Sequence, residues 1–285
     1  GIGNGCTVTA GFINILAQAD RNVTAKSLMV SAGIGAVSGS VIVISVGAPT
    51  NDENTDKALK NDNDGKNVIS QTQTDINAAI NKSKINLGDN DQEYVSKVNS
   101  LISTISVNLG EFFTGSNIAD KTAAFIGSNG TTKTTSGDIT VKAEEKTTIN
   151  ASSGAASAGG AALGGSVVVI TLNGTTESYT GGSIQADKNL NITAQNNIYA
   201  NNLRTVGGSA GVIGLGGSVV VLNITGTTKA YAGGTLNVSG SINIHALGRI
   251  EANGMKIYAG GVGGLGLGAA VGIVDISSIA QAYMA

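Results

Sequence analysis

The chain has 285 residues, of which 42 are glycine, one is proline, one is cysteine and none is tryptophan; its net charge is −2, with 13% charged residues. Glycine without a Gly-X-Y period excludes collagen, and a hydrophobic fraction of 41% excludes a disordered chain, because apolar surface is present to offset chain entropy. So little charge leaves no footprint for nucleic acid, and a lone Cys6 excludes an intrachain disulfide and a cysteine-based metal site.

Residues 1–49 open the first of several repeats. Gly39-Ser40-Val41-Ile42-Val43-Ile44 returns as Gly165-Ser166-Val167-Val168-Val169-Ile170, 126 positions on, and again as Gly217-Ser218-Val219-Val220-Val221-Leu222 after a further 52. Tyr179, Tyr231 and Tyr283 keep the step of 52, as do Gly181-Gly182 and Gly233-Gly234. A fixed period marks a stack of supersecondary units, each too small to bury its apolar face alone. The first step exceeds the period by 126 − 52 = 74, which predicts an insertion of about that length in the first repeat.

Residues 50–120 differ in kind. They hold 11 acids and 6 lysines against 8 acids and 11 bases elsewhere, so an acidic module of −5 sits on a frame of +3. Ile69, Ile76 and Ile80 fall on one helical face, and Tyr94, Val98, Leu101 and Ile105 on another. Asn67 and Asp91 stand where helix caps belong, and Leu87-Gly88 where a helix ends. The pattern predicts an antiparallel helical hairpin joined through Asn86 to Asn90, in place of the turn expected at Asn173-Gly174 of the next repeat. Insertions of this kind project outward and carry binding, so Asp89, Asp91, Glu93, Tyr94 and Lys97 are its candidate partner contacts; a decoration without function is the alternative.

From 121 to 285 the repeats resume. Ile139, Val141 and Ala143 alternate with polar residues, as do Leu190, Ile192 and Ala194, and then Ile242, Ile244 and Ala246. Period two means strands with one face inward, and Gly-Gly, Asp-Lys, Asn-Asn and Asn-Gly bound them as turn formers. The expected fold is all-β, a parallel β-solenoid with two long coils or three short ones per repeat. Val206 to Thr228 is uncharged and long enough to cross a bilayer, but its glycine and β-branched content fits buried, stacked strands better than a helix. Stacking would place Phe125, Tyr179, Tyr231 and Tyr283 in one aromatic column, either a sugar-binding strip or a structural ladder.

Motifs for chemistry fail on inspection. Asn61-Asp62-Asn63-Asp64-Gly65 resembles a calcium loop, yet Lys60 and Gln71 occupy the positions that need carboxylates. Gly207-Gly208-Ser209-Ala210-Gly211 spells a nucleophile elbow and Gly261 to Gly266 a dinucleotide fingerprint, but neither has the helix its chemistry requires. His245, the only histidine, falls on the polar side of a strand. The acids Glu144, Glu145, Glu177, Asp187, Glu251 and Asp275 do not recur as the pairs a glycosidase or lyase needs. The reading is therefore non-enzymatic, with no cofactor and no metal. Eight Asn-X-Ser/Thr sequons, at Asn22, Asn81, Asn129, Asn150, Asn173, Asn191, Asn223 and Asn237, follow from an Asn/Thr-rich composition.

The repeated phrases Gly-Gly-Ser-Val-Val-Val at 164–169, Thr-Thr-Lys-Ala-Tyr-Ala-Gly-Gly at 227–234 and Asn-Leu-Asn-Ile-Thr-Ala-Gln at 189–195 resemble the repetitive regions of filamentous-haemagglutinin-like exoproteins, a group that includes adhesins and leukotoxin-like proteins of Gram-negative bacteria. The resemblance covers the repeats and excludes the insertion. It implies a right-handed parallel β-helix, an extracellular or cell-surface location, an outer-membrane secretion partner for the full-length protein, and a host cell-surface or matrix component as partner. It also implies that the sequence is an excerpt of a longer protein. A membrane-damaging exotoxin fragment and a polysaccharide-active β-helix enzyme are the rival readings.

Overall fold

A computed structural model describes residues 1–47 and 120–285 of the chain. The described part is all-β, and its strands pair in parallel. It falls into four layers that follow one another along the chain. The first holds β1 (Thr7–Ala10), β2 (Ile13–Ala32), β3 (Gly35–Gly47) and β4 (Asp120–Ile126). The second holds β5 (Thr131–Thr134) and β6 (Ile139–Thr180), and the third β7 (Ser183–Ala186) and β8 (Leu190–Ala232). The last holds β9 (Thr235–Val238), β10 (Ile242–Asn253), β11 (Lys256–Val262) and β12 (Leu265–Met284). One sheet runs β1-β5-β7-β9; the larger runs β2-β6-β8-β10, with β3 and β4 also on β6, and β11 and β12 also on β8.

Register follows the sequence period. Tyr179 pairs with Tyr231 and Tyr231 with Tyr283, so the neighbour of a residue in the next layer lies one repeat away. Each repeat therefore makes a single layer, in place of the two or three coils expected. The reason is strand length: β6 and β8 run for 42 and 43 residues, bending without interruption at positions where the sequence suggested turns. Asn196-Asn197 lies inside β8 and Asn173-Gly174 inside β6. Gly174 serves close approach there, since a Cβ on it would lie 3.3 Å from the buried Glu145 carboxylate.

The period itself varies where turns do. Ile139 pairs with Leu190, a step of 51, whereas Ser152 pairs with Arg204, a step of 52, so β8 carries one extra residue after Asn201. Asn202 takes it up with φ 52°, and Gly254 sits over Asn202 in the next layer with φ 70°. Both residue types tolerate the left-handed region, which an ordinary side chain resists.

Inward-facing residues form two apolar cores with a polar seam between them. Ile139, Val141, Ala143, Leu190, Ile192 and Ala194 belong to one, and Ile149, Ile170, Ile198, Leu222 and Ile224 to the other. Across the seam Arg21 Nη1 donates to Glu145 Oε1 at 2.7 Å, and Thr176 Oγ1 donates to Glu145 Oε2 at 3.0 Å. Glu145 is buried and Arg21 half-buried, so the carboxylate lies inside with its charge and lone pairs answered.

Beyond the second core the chain runs out along 152–158 and returns along 161–167, and so again in the neighbouring layers. Here the two sides touch almost backbone to backbone. A Cβ on Gly164 would collide with the carbonyl oxygen of Gly208, and one on Gly207 with that of Gly217, whereas Gly165 and Gly208 have nothing within 4 Å. Gly164-Gly165 and Gly207-Gly208 thus each have one member facing in, where nothing larger fits, and one facing out. The uncharged run Val206 to Thr228 is part of β8, and among the described residues no helix is long and apolar enough to cross a membrane.

Two substitutions separate these roles. Gly164→Val should lower unfolding free energy by more than about 2 kcal/mol through overpacking, while Gly165→Val should stay within about 0.5 kcal/mol of the parent, as chemical denaturation will show. Glu145→Ala, which removes the buried acceptor of Arg21 Nη1 and Thr176 Oγ1, should cost about 3 kcal/mol in the same assay.

Candidate functional site

The outer face of the last strand of each layer carries the aromatic residues singled out by the sequence. Phe125, Tyr179, Tyr231 and Tyr283 come from β4, β6, β8 and β12, and register alone brings them together. Their ring centroids are 5.4, 5.0 and 5.2 Å apart, with interplanar angles of 13°, 2° and 10°. This spacing matches the separation of hydrogen-bonded strands, about 4.8 Å, so the rings ride on the backbone ladder.

Stacking decides what the column can do chemically. A sugar packs its C–H face on an aromatic face, but both faces of Tyr179 and Tyr231 are already covered by neighbouring rings. The inner rings offer only edges and hydroxyls. Tyr283, 43% exposed, has one uncovered face at the end of the column. The geometry is that of a ladder whose offset-parallel contacts each add about 0.5–1.5 kcal/mol beyond area burial.

Beside the column stands a charged row. Glu177 pairs with Ala123 on one side and Lys229 on the other, and its carboxylate forms an ion pair with Lys121. The Tyr231 phenol stands near this carboxylate. The Tyr231 phenol is pushed up to about 12, first by burial, then by the nearby Glu177 charge, with Tyr179 and Tyr283 adding to it. A second set of outward aromatics escaped the sequence reading. Arg204 lies over Tyr258 at 5.7 Å and Arg249 over Tyr199 at 5.9 Å, the latter guanidinium also paired with Glu251. The signal was present in the period: Tyr199 and Glu251 are 52 apart and pair directly, with Arg249 two residues before Glu251.

The remaining candidates are not gathered into a site. Glu144 and Glu145 point to opposite sides of β6, Glu144 to Lys142 and Glu145 to Arg21 inside. Ser209 of the apparent nucleophile elbow is a buried residue within β8, and the segment 261–266 joins β11 to β12. His245 is exposed and pairs with Thr193 in the ladder. Among the described residues no three His, Cys, Asp or Glu side chains are grouped to hold a metal ion. Asp89, Asp91, Glu93, Tyr94 and Lys97, with the helical hairpin expected over 50–120, lie outside the described residues; Asp120 alone of that range is described, opening β4. Compared with known proteins, no family model, no curated protein and no solved structure matched this chain.

Because its value is raised, Tyr231 supports the fold fully below pH 10 and withdraws that support as the pH climbs towards 12. Absorbance titration at the phenolate band should find one tyrosine ionising near pH 12, absent in Tyr231→Phe. In Glu177→Gln its midpoint should fall but stay above the ordinary 10, since burial is the larger cause.

Proposed function

We propose that this chain is a rod-forming segment of a secreted or surface-exposed bacterial adhesin, a right-handed parallel β-solenoid that displays residues 48–119 as its host-binding module. The observation carrying this reading is the place of the insertion. Gly47 pairs with Asn173 and Asp120 pairs with Gly174, so the two ends of the inserted segment sit against adjacent residues of the next layer. The register step changes from 126 before it to 54 after it, giving 126 − 54 = 72 inserted residues. The 74 read from the sequence included two residues that belong to the longer turn Gly127-Ser128-Asn129-Gly130, which stands where later layers have Gly181-Gly182 and Gly233-Gly234.

A module entering and leaving at one point of a strand leaves the stack on either side undisturbed. Such a frame supplies reach and rigidity, and the acidic insertion supplies a distinct surface for a host cell-surface or matrix component. No step of the reading uses a catalytic group or a cofactor, and the covered faces of Tyr179 and Tyr231 favour recognition by the insertion over recognition by the column.

The test is binding to epithelial cells and matrix proteins by the full chain and by a chain in which Gly47 is joined directly to Asp120. Register predicts that the joined chain folds, with a β-type circular dichroism spectrum. Binding by the full chain alone is the expected result. Equal binding by both would move recognition to the frame, no binding by either would contradict the adhesin reading, and leakage of liposomes by the full chain would favour the membrane-damaging alternative.

A further inference from the structure

We propose that the outer face of the frame beside the insertion point is a docking surface within the chain, and that residues 48–119 cover it with their apolar side. Two columns of side chains make the surface. Val41, Val167, Val219 and Val271 form one, and Val43, Val169, Val221 and Ile273 the next, so eight β-branched residues stand in a block four layers tall. They face outward, since Val168, Ile170 and Leu172 at the alternate positions fill the second core.

Outward residues of this frame are ordinarily half-buried, as Thr175, Glu177 and Tyr179 are further along β6. Val169 and Thr171 are instead 2% and 3% exposed, and Val221, one layer on, 9%. β6 is buried on both faces only over 168–172, and β8 repeats this over 220–224. Both strands belong to middle layers with partners on either side. A strand buried on both faces has an element packed on each. On the inner side that is the second core. On the outer side, the apolar side chains packed around Val169 and Val221 are Val43, Val167, Val219 and Ile273, all members of the same face. The Thr171 hydroxyl, which alternation places on that side, is buried without a hydrogen-bond partner. Eight apolar side chains with an orphaned hydroxyl among them make a face that a cover completes.

The occupant is specified by where the chain leaves and returns. Gly47 and Asp120 pair with Asn173 and Gly174, four and five residues beyond Val169 along β6, so the inserted segment begins and ends at the border of the surface. Its sequence carries the complement. Ile69, Ile76 and Ile80 span 12 residues, as do Tyr94, Val98, Leu101 and Ile105, and a helix of that length, which their pattern predicts, measures about 18 Å. Four layers about 4.8 Å apart measure about 14 Å across, so one such helix laid along the columns crosses them all. The charge of −5 on the insertion against +3 on the frame favours the same contact. A segment docked in this way turns its charged side outward, and that side is what it offers a partner. The inference stands apart from the adhesin reading, because the surface needs a cover whatever the module binds.

Thiol reactivity tests it. In a Cys6→Ser background, Val169→Cys in the full chain should react with a maleimide at least about tenfold more slowly than in a chain whose residues 48–119 are replaced by a glycine-serine linker of equal length. Thr193→Cys, a half-buried outward position in the first half of β8, should react at similar rates in both. Equal Val169→Cys rates in the two chains would overturn the proposal: slow in both would mean that the frame covers itself, and fast in both that nothing does. Protection that grows with protein concentration would also overturn it, by assigning the surface to a second copy. A photoactivatable residue in place of Val219, which needs no deletion, should join to peptides from 48–119 of its own chain. Capture of frame peptides alone, or of another chain, would contradict the docking.

Discussion

Along the long strands of the middle layers the backbone pairs in parallel with the layer alongside, and this in-register pairing ties each strand residue to the one a repeat away. All other regularities descend from it. A tyrosine repeated at 52 must stack on itself, and an asparagine repeated there must meet an asparagine, as Asn243 Nδ2 donates to Asn191 Oδ1 at 2.9 Å. Where a layer gains a residue the register absorbs it at a turn or corner, at Asn202 or within Gly127 to Gly130, and the strands beyond resume their places. The insertion is the extreme case of the same tolerance, because loop closure costs grow only slowly with length.

Pairing along the stack fixes neighbours but not what fills each layer. Three different solutions share one cross-section. Branched aliphatic side chains fill the two cores, hydroxyls and a charged pair fill the seam, and glycine, alanine and serine fill the narrow arm. Small residues bring the two sides of the arm closer than the usual 10 Å between packed sheets. That accounts for the glycines of the arm, such as Gly164, Gly207 and Gly216, within regular strands, where glycine is otherwise unfavourable. In the seam, Ser178 Oγ donates to the Val141 carbonyl at 2.8 Å, which helps to answer polar groups held away from water.

Much of this was legible in the sequence because period and parity are read from spacing alone. The repeat of 52, the alternating strands and the meeting of Phe125 with three tyrosines needed only counting. Parity also held information that went unused: Ile139, Val141 and Ala143 lead directly to Glu145 and Thr147 on the same inward face, as Ile13, Ile15 and Ala17 lead to Arg21. What misled was residue preference. Asn173-Gly174 and Asn196-Asn197 have turn chemistry, yet the ladder on both sides holds them extended, and so the number of layers per repeat was misjudged. The narrow arm was hidden for a different reason, since Gly164 and Gly165 look alike until a facing backbone is placed near one of them.

The claim that the layers stack in register one repeat apart is open to direct chemical test. Thr175 and Thr227 are paired neighbours on the outer face of β6 and β8, within the span a disulfide bridges, whereas Tyr231 lies four residues beyond Thr227 along β8. In a Cys6→Ser background, Thr175→Cys with Thr227→Cys should cross-link on mild oxidation, and Thr175→Cys with Tyr231→Cys should not, as read by mass spectrometry of the folded monomer. Cross-linking of the second pair in place of the first would contradict the register and everything built on it.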